Sequence, residues 1–147
     1  MNEQQNVQVI QQMYAVIEQG RPPVDFYAED IEFYVAGSRE KIPFAGTHYG
    51  QEQVAQLLAQ LASILFEVMD LQQAQLQDFI AQGNQVVVIG SYVWRVRSNN
   101  HLVKYDWVHV FTMHNGKIRK IRGYFDTATY ADILAMLKID SVPKLAS

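Results

Sequence analysis

The order of hydrophobic periods along the chain predicts an α+β domain, with helices first and a curved antiparallel sheet wrapped around them. Three observations carry this. Apolar residues recur at helical spacing in two segments of the first 65 residues. From about residue 67 to residue 125 the pattern changes to alternation. Gly83-Asn84, Asn99-Asn100 and His114-Asn115-Gly116 then cut that region into four pieces of strand length.

Taken in order, Val7, Ile10, Tyr14 and Ile17 share one face of a predicted helix over 6–18. Gly20 stops it, and Pro22-Pro23 make a hard break. IEFYV at 31–35 alternates as a strand, which sends Glu32 outward. AGSREKIPFAGTHYG, with three glycines and a proline, reads as a long loop. Val54, Leu57, Leu58, Leu61 and Ile64/Leu65 predict a second helix over 51–65. Strands are expected over 67–80, 85–98, 102–113 and 117–125. A short C-terminal helix over 127–137 closes the pattern, with Asp126 as its N-cap.

The bulk composition narrows the function classes. The 147 residues make one domain, 1–147, long enough to bury a core; 49% of them are hydrophobic and 18% charged, which is a globular profile. A net charge of −3 argues against nucleic acid or an anionic membrane as partner. With no cysteine there is no disulfide, thiolate nucleophile or Cys-based metal site. The polar, glutamine-rich start lacks a secretory pattern and no apolar run is long enough to span a bilayer, so a cytoplasmic location is expected.

The segment YDWVHVFTMHNGKIRKIRGYFD, 105–126, holds the chemistry. A two-residue turn at Asn99-Asn100 would place Trp94 opposite Tyr105, Tyr92 opposite Trp107, Gly90 opposite His109 and Val88 opposite Phe111, all on one face. At the next turn, burial of cations argues against a two-residue loop that turns Lys120 and Arg122 inward. A three-residue loop at His114-Asn115-Gly116 instead brings Ile121, Gly123 and Phe125 to the face of His109, with His109 opposite Ile121. His109 then has a glycine on each neighbouring strand. Glycine inside a strand is unfavourable unless space is needed. A cavity beside His109, walled by Tyr92, Trp94, Trp107 and Phe111, is therefore expected, and an apolar hollow with a few polar groups suits a small molecule.

The run WVHVFTMHNGKIRKIRGYFDTATYADIL resembles the SnoaL-like branch of the nuclear transport factor 2-like superfamily. YAVIEQG, YAEDIEF, GTHYGQEQV and QGNQVVVIG resemble it too, in the same order along nearly the whole chain. The resemblance implies a cone-shaped sheet with an internal pocket and a homodimer across the sheet's outer face, here Val93, Arg95, Val108, Val110, Arg122 and Tyr124. Its members include ketosteroid isomerases, polyketide cyclases, epoxide hydrolases and modules without chemistry, so fold does not settle function. Tyr14 matches the oxyanion-donating tyrosine of the isomerases. Their protonated aspartate falls at His109 and their general base near Val35. The cyclase and hydrolase aspartate falls at Gly123, and the hydrolase Arg and Asp fall near Gly90 and Tyr92. None of these acid–base sets is intact.

The expectation is thus a site with His109 and Tyr14 as catalytic candidates and Tyr92, Trp94, Trp107, Phe111, Gly90 and Gly123 as ligand contacts. A histidine titrating near neutrality can shuttle a proton, worth roughly 10²–10⁴-fold. The ligand would be a small hydrophobic carbonyl compound, processed by an isomerase- or cyclase-like reaction. A non-catalytic dimeric module plugged by its own rings is the alternative. No cofactor is expected. His48 reads as a surface histidine, His101 and His114 as turn residues, and no two histidines have metal-ligand spacing. KIRKIR reads as a solvated or dimer-facing set paired with Asp or Glu, and Asp126 as a cap rather than an acid.

Overall fold

A computed structural model describes residues 2–136. Helix α1 (Glu3–Glu18) starts with a capping box. The Gln5 amide donates to Asn2 Oδ1 at 2.8 Å, and the Asn2 amide donates to Gln5 Oε1 at 3.0 Å. Its inward face is Asn6, Ile10, Met13 and Tyr14. A helical turn, Val24–Phe26, leads to β1 (Tyr27–Val35), β2 (Gly46–Tyr49) and α2 (Gly50–Val68). Strands β3 (Met69–Gln82), β4 (Gln85–Val96), β5 (Leu102–His114) and β6 (Lys117–Phe125) follow, then α3 (Thr127–Met136). Asp126 caps α3: Oδ1 accepts from the Thr129 amide at 3.0 Å and Oδ2 from the Thr129 hydroxyl at 2.8 Å. The expected last residue of that helix, 137, lies outside the described residues.

The six strands form one sheet in the order β2-β1-β6-β5-β4-β3. Every pair is antiparallel except β1 with β6, which is parallel, so the sheet is mixed and stays open between its edges β2 and β3. β2 was expected to be loop. Its four residues pair with the end of β1, His48 opposite Phe33. Register shifts in β3 at Leu71/Gln73 and Leu76/Asp78, and between β5 and β6 at Thr112/Met113, are the bulges that bend such a sheet.

Both hairpins correct the expected register. The β4–β5 connection is a four-residue loop, not two. The Val96 amide donates to the His101 carbonyl at 2.9 Å, and Asn100 takes the left-handed conformation at φ 58°. The pairing therefore moves by two residues: Gly90 faces Trp107, Val88 faces His109, Tyr92 faces Tyr105 and Trp94 faces Val103. A two-residue slip keeps every side chain on its own face, because the strand period is two. The β5–β6 turn is the two-residue Asn115-Gly116, both at positive φ (51° and 76°), the geometry of a primed turn. A bulge at Arg119 then restores the inward face, so Ile121, Gly123 and Phe125 do point inward, with His109 opposite Gly123 and Phe111 opposite Ile121.

The core lies between the inner face and the helices. Ile10, Ile31, Val54, Leu57, Val86, Val88, Phe111 and Ile118 are fully buried in it. Outward, Arg119 pairs with Asp30 at 3.4 Å and Lys120 with Glu32 at 3.6 Å, as the spacing of the basic run suggested, whereas Lys117 donates to the Asp25 carbonyl at 2.6 Å and Arg122 lies against the Tyr34 and Tyr124 rings. No helix among the described residues is long and apolar enough to cross a membrane.

Candidate functional site

Alternation along β5 sends Val103, Tyr105, Trp107, His109, Phe111 and Met113 to the inner face, and α1 delivers Tyr14 from above. His109 and Tyr14 meet. Tyr14 Oη lies 2.6 Å from His109 Nδ1, and the two ring planes are 6° apart. We assign the Tyr14 hydroxyl as the donor and Nδ1 as the acceptor of this bond. That fixes the imidazole as the Nε2–H tautomer.

The rest of the shell is aromatic. Trp107 stacks on the imidazole with centroids 4.3 Å apart and planes 27° apart. Phe111 presents its edge to His109 at 6.0 Å and to Tyr14 at 6.1 Å. Tyr92 packs on Trp107 at 5.4 Å, tilted by 34°, and touches Trp94 and Tyr105 at 5.9 Å. Trp94 is satisfied: its Nε1–H donates to the Tyr105 hydroxyl at 3.3 Å. Trp107 is not. Its Nε1–H is buried without an acceptor, as is the hydroxyl of Tyr130 at the α3 end of the cluster.

This carbon-rich setting sets the electrostatics. His109 is half-buried, with its side chain on the inward face of β5 among carbon-rich rings. Burial therefore pushes its pKa down to about 4. Burial also raises the Tyr14 phenol far above its ordinary value, with Tyr92 and Tyr27 adding to the effect. Both groups are neutral at pH 7. The pair can donate or accept hydrogen bonds, but it is a weak base. No Asp or Glu side chain shares the inner face of β4, β5 or β6. Among the described residues there is also no metal-binding cluster of His, Cys, Asp or Glu.

The two expected glycines differ in role. Gly90 is not open space. A methyl group there would collide with Trp107 Cζ2 and lie 2.6 Å from the Gln75 carbonyl oxygen. The room left by Gly90 is taken by the indole, so the cavity inferred beside His109 from the earlier register is largely filled by Trp107. At Gly123 a methyl group would make ordinary contacts at 3.7 Å with His109 Cδ2, Phe33 Cε1 and the Tyr34 carbonyl oxygen. On the β6 side of His109 there is thus room for a methyl group at ordinary contact distance.

Three other placements complete the set. His48 is buried, not a surface residue, and its Nε2 lies 2.7 Å from the Phe44 carbonyl oxygen, a core contact. His101 and His114 are exposed turn neighbours, as expected. Phe79 and Phe33 belong to the site but were not singled out from sequence. Phe79 meets Tyr14 edge-on at 6.3 Å. Phe33 sits in the same alternating run as Ile31 and Val35, a signal that was available.

An open, bent sheet folded over helices around an aromatic interior, with one hydrogen-bonded Tyr–His pair inside, defines a class of protein before any comparison. The comparison then gives the family. Residues 10–121 match the SnoaL-like domain, and the chain belongs to that family. It resembles a crystal structure of an NTF2-like protein from Burkholderia xenovorans LB400 at 33% identity and TM-score 0.73, covering 90% of this chain and 98% of that one. It also resembles TerC co-crystallised with polyporic acid (24% identity, TM-score 0.73, covering 89% and 98%). A putative SnoaL-like polyketide cyclase from Mesorhizobium loti is similar at 22% identity and TM-score 0.60, covering 80% and 96%. No curated protein matches the chain.

Proposed function

We propose that this SnoaL-like protein binds a small, mostly apolar molecule in its aromatic interior, through the Tyr14–His109 pair. The observation that carries this reading is the 2.6 Å Tyr14–His109 contact inside a shell of rings, beside a strand glycine, Gly123, where a methyl group would fit at ordinary contact distance from the imidazole. Convergent polar groups in an apolar enclosure are the usual make-up of a small-molecule site. The Nε2–H suits the oxygen of a hydrophobic carbonyl compound. Isomerase- or cyclase-like turnover would use Tyr14 and His109 to polarise that carbonyl. Proton abstraction by an imidazole with pKa about 4 is a weak route at neutral pH. A protein of similar fold, TerC, has been co-crystallised with a small molecule, polyporic acid.

The test is a thermal-shift screen of planar carbonyl compounds against the protein, Gly123→Leu and His109→Gln. Ligands should raise the melting temperature of the parent and lose their effect in both variants. Equal shifts in all three proteins would sink the reading.

One observation favours the alternative of a non-catalytic module: Trp107 already lies on His109. In either case the assembly is a homodimer through the outer face. There Val108, Val110, Val87 and Ile89 form adjoining apolar pairs, and Arg122 lies 5.4 and 5.5 Å from the Tyr34 and Tyr124 ring centres. Sedimentation of the protein and of Val110→Asp checks this, with dimer expected for the first and monomer for the second. A cytoplasmic location belongs to the same reading, and fractionation of the host cell tests it.

A further inference from the structure

Trp107 is held in the interior at a cost. Its indole fits only because residue 90 is glycine, and its N–H is buried with no acceptor. An unpaired buried donor is destabilising, so such a group in a core asks for a reason. The surroundings supply one. The indole stacks on His109 at 4.3 Å, the seat a planar ligand would take in order to stack on the imidazole, and Tyr92 meets it at a tilt at 5.4 Å. The wall behind it can yield. The Gln75 carbonyl that meets Gly90 belongs to β3, an edge strand whose ladder is broken on either side, at Leu71/Gln73 and Leu76/Asp78. Between those breaks β3 is solvent-exposed throughout.

We propose that the Trp107 indole is a built-in plug, holding the seat of a planar, uncharged aromatic ligand and swinging off His109 when that ligand binds. This rests on the small-molecule reading and adds the ligand's class. Once displaced, the Nε1–H can reach an acceptor, so the closed form carries a cost that the open form sheds. The site then presents two N–H donors, from Trp107 and His109, and no fixed charge. An aromatic ring bearing a hydroxyl or carbonyl is accepted, and the same ring bearing an ammonium group is refused. The indole also competes with the ligand, so the affinity seen is the intrinsic affinity scaled by the open fraction.

The test uses the ¹⁵N-labelled protein. Its two indole N–H signals are assigned with Trp94→Phe, and it is titrated with 1-naphthol and, separately, with the ammonium compound 1-naphthylmethylamine. Naphthol should move the Trp107 N–H signal and the His109 imidazole signals with one common Kd, and the amine should bind at least tenfold more weakly. Trp107→Leu should bind naphthol at least tenfold more tightly, and Trp107→Phe serves if the leucine variant does not fold. Naphthol binding that shifts His109 but leaves the Trp107 signal in place, with unchanged affinity in the variants, overturns the plug and spares the small-molecule reading. Equal affinity for the amine overturns the assigned ligand class. No binding by the parent or by either variant overturns both readings.

Discussion

Acidification should destabilise this protein through His109 alone by an amount the structure sets. The imidazole titrates near 6.5 when exposed in the unfolded chain and at about 4 in the folded one, because burial penalises the cation. Between those values the unfolded chain binds the extra proton, so stability falls as the pH drops from 6.5 towards 4 and levels off below. At pH 7 the effect is close to zero. At pH 4.5 the unfolded imidazole is almost wholly protonated and the folded one is mostly neutral, a difference of about 2.5 kcal/mol. Urea unfolding of the protein and of His109→Gln, at pH 7 and pH 4.5, isolates this contribution, since other titrating groups cancel between the two proteins. The parent should lose about 2.5 kcal/mol more than the variant. Equal losses would mean that His109 is solvated or charged in the folded state, and the buried neutral Tyr14–His109 pair would have to be abandoned.

Further outcomes follow from single contacts. Gly90→Ala should cost about 1–3 kcal/mol, since its methyl group meets a backbone carbonyl as well as the indole, while Gly123→Ala should stay within about 0.5 kcal/mol; urea midpoints compare them. Replacing the cap in Asp126→Ala should cost about 1 kcal/mol and leave ligand binding unchanged, which denaturation and titration check together. Tyr14, Tyr27, Tyr92, Tyr105 and Tyr130 all have raised pKa values from burial, so the stability they lend is intact below pH 10 and lost as the pH rises beyond it. Absorbance at 295 nm should show these phenols ionising only as circular dichroism reports unfolding.

Much of this was legible in the chain because periodicity reports faces. The helical spacing of Ile10 and Tyr14 and the alternation from Tyr105 to Met113 decide what points inward, and that prediction survives a two-residue slip in register. What periodicity cannot report is the partner. The Asn99-Asn100 pair looks like a two-residue turn, yet Arg97 and Ser98 join it in the loop. The slip hands Gly90 to Trp107 in place of His109, so a glycine that looked like empty space turns out to be a seat for an indole. The Arg119 bulge is equally silent in sequence, although burial of Ile121 and exposure of Lys120 were enough to find its consequence. β2 is only four residues within a glycine-rich stretch, and the parallel β1–β6 pair joins segments far apart in the chain, so neither leaves a local pattern. His48 was misplaced because its partner is a backbone carbonyl, which no side-chain motif announces.

The proposed function rests on one neutral hydrogen-bonded pair, Tyr14–His109, at the centre of an aromatic interior. Long-range ¹H–¹⁵N spectra of the histidine rings, recorded at pH 7 with and without a compound that raises the melting temperature, test this most directly. His109 should appear as the Nε2–H tautomer with an acceptor Nδ1, and ligand should shift Nε2 most. An imidazolium at His109, or a His109 signal unmoved by every stabilising compound, would contradict it.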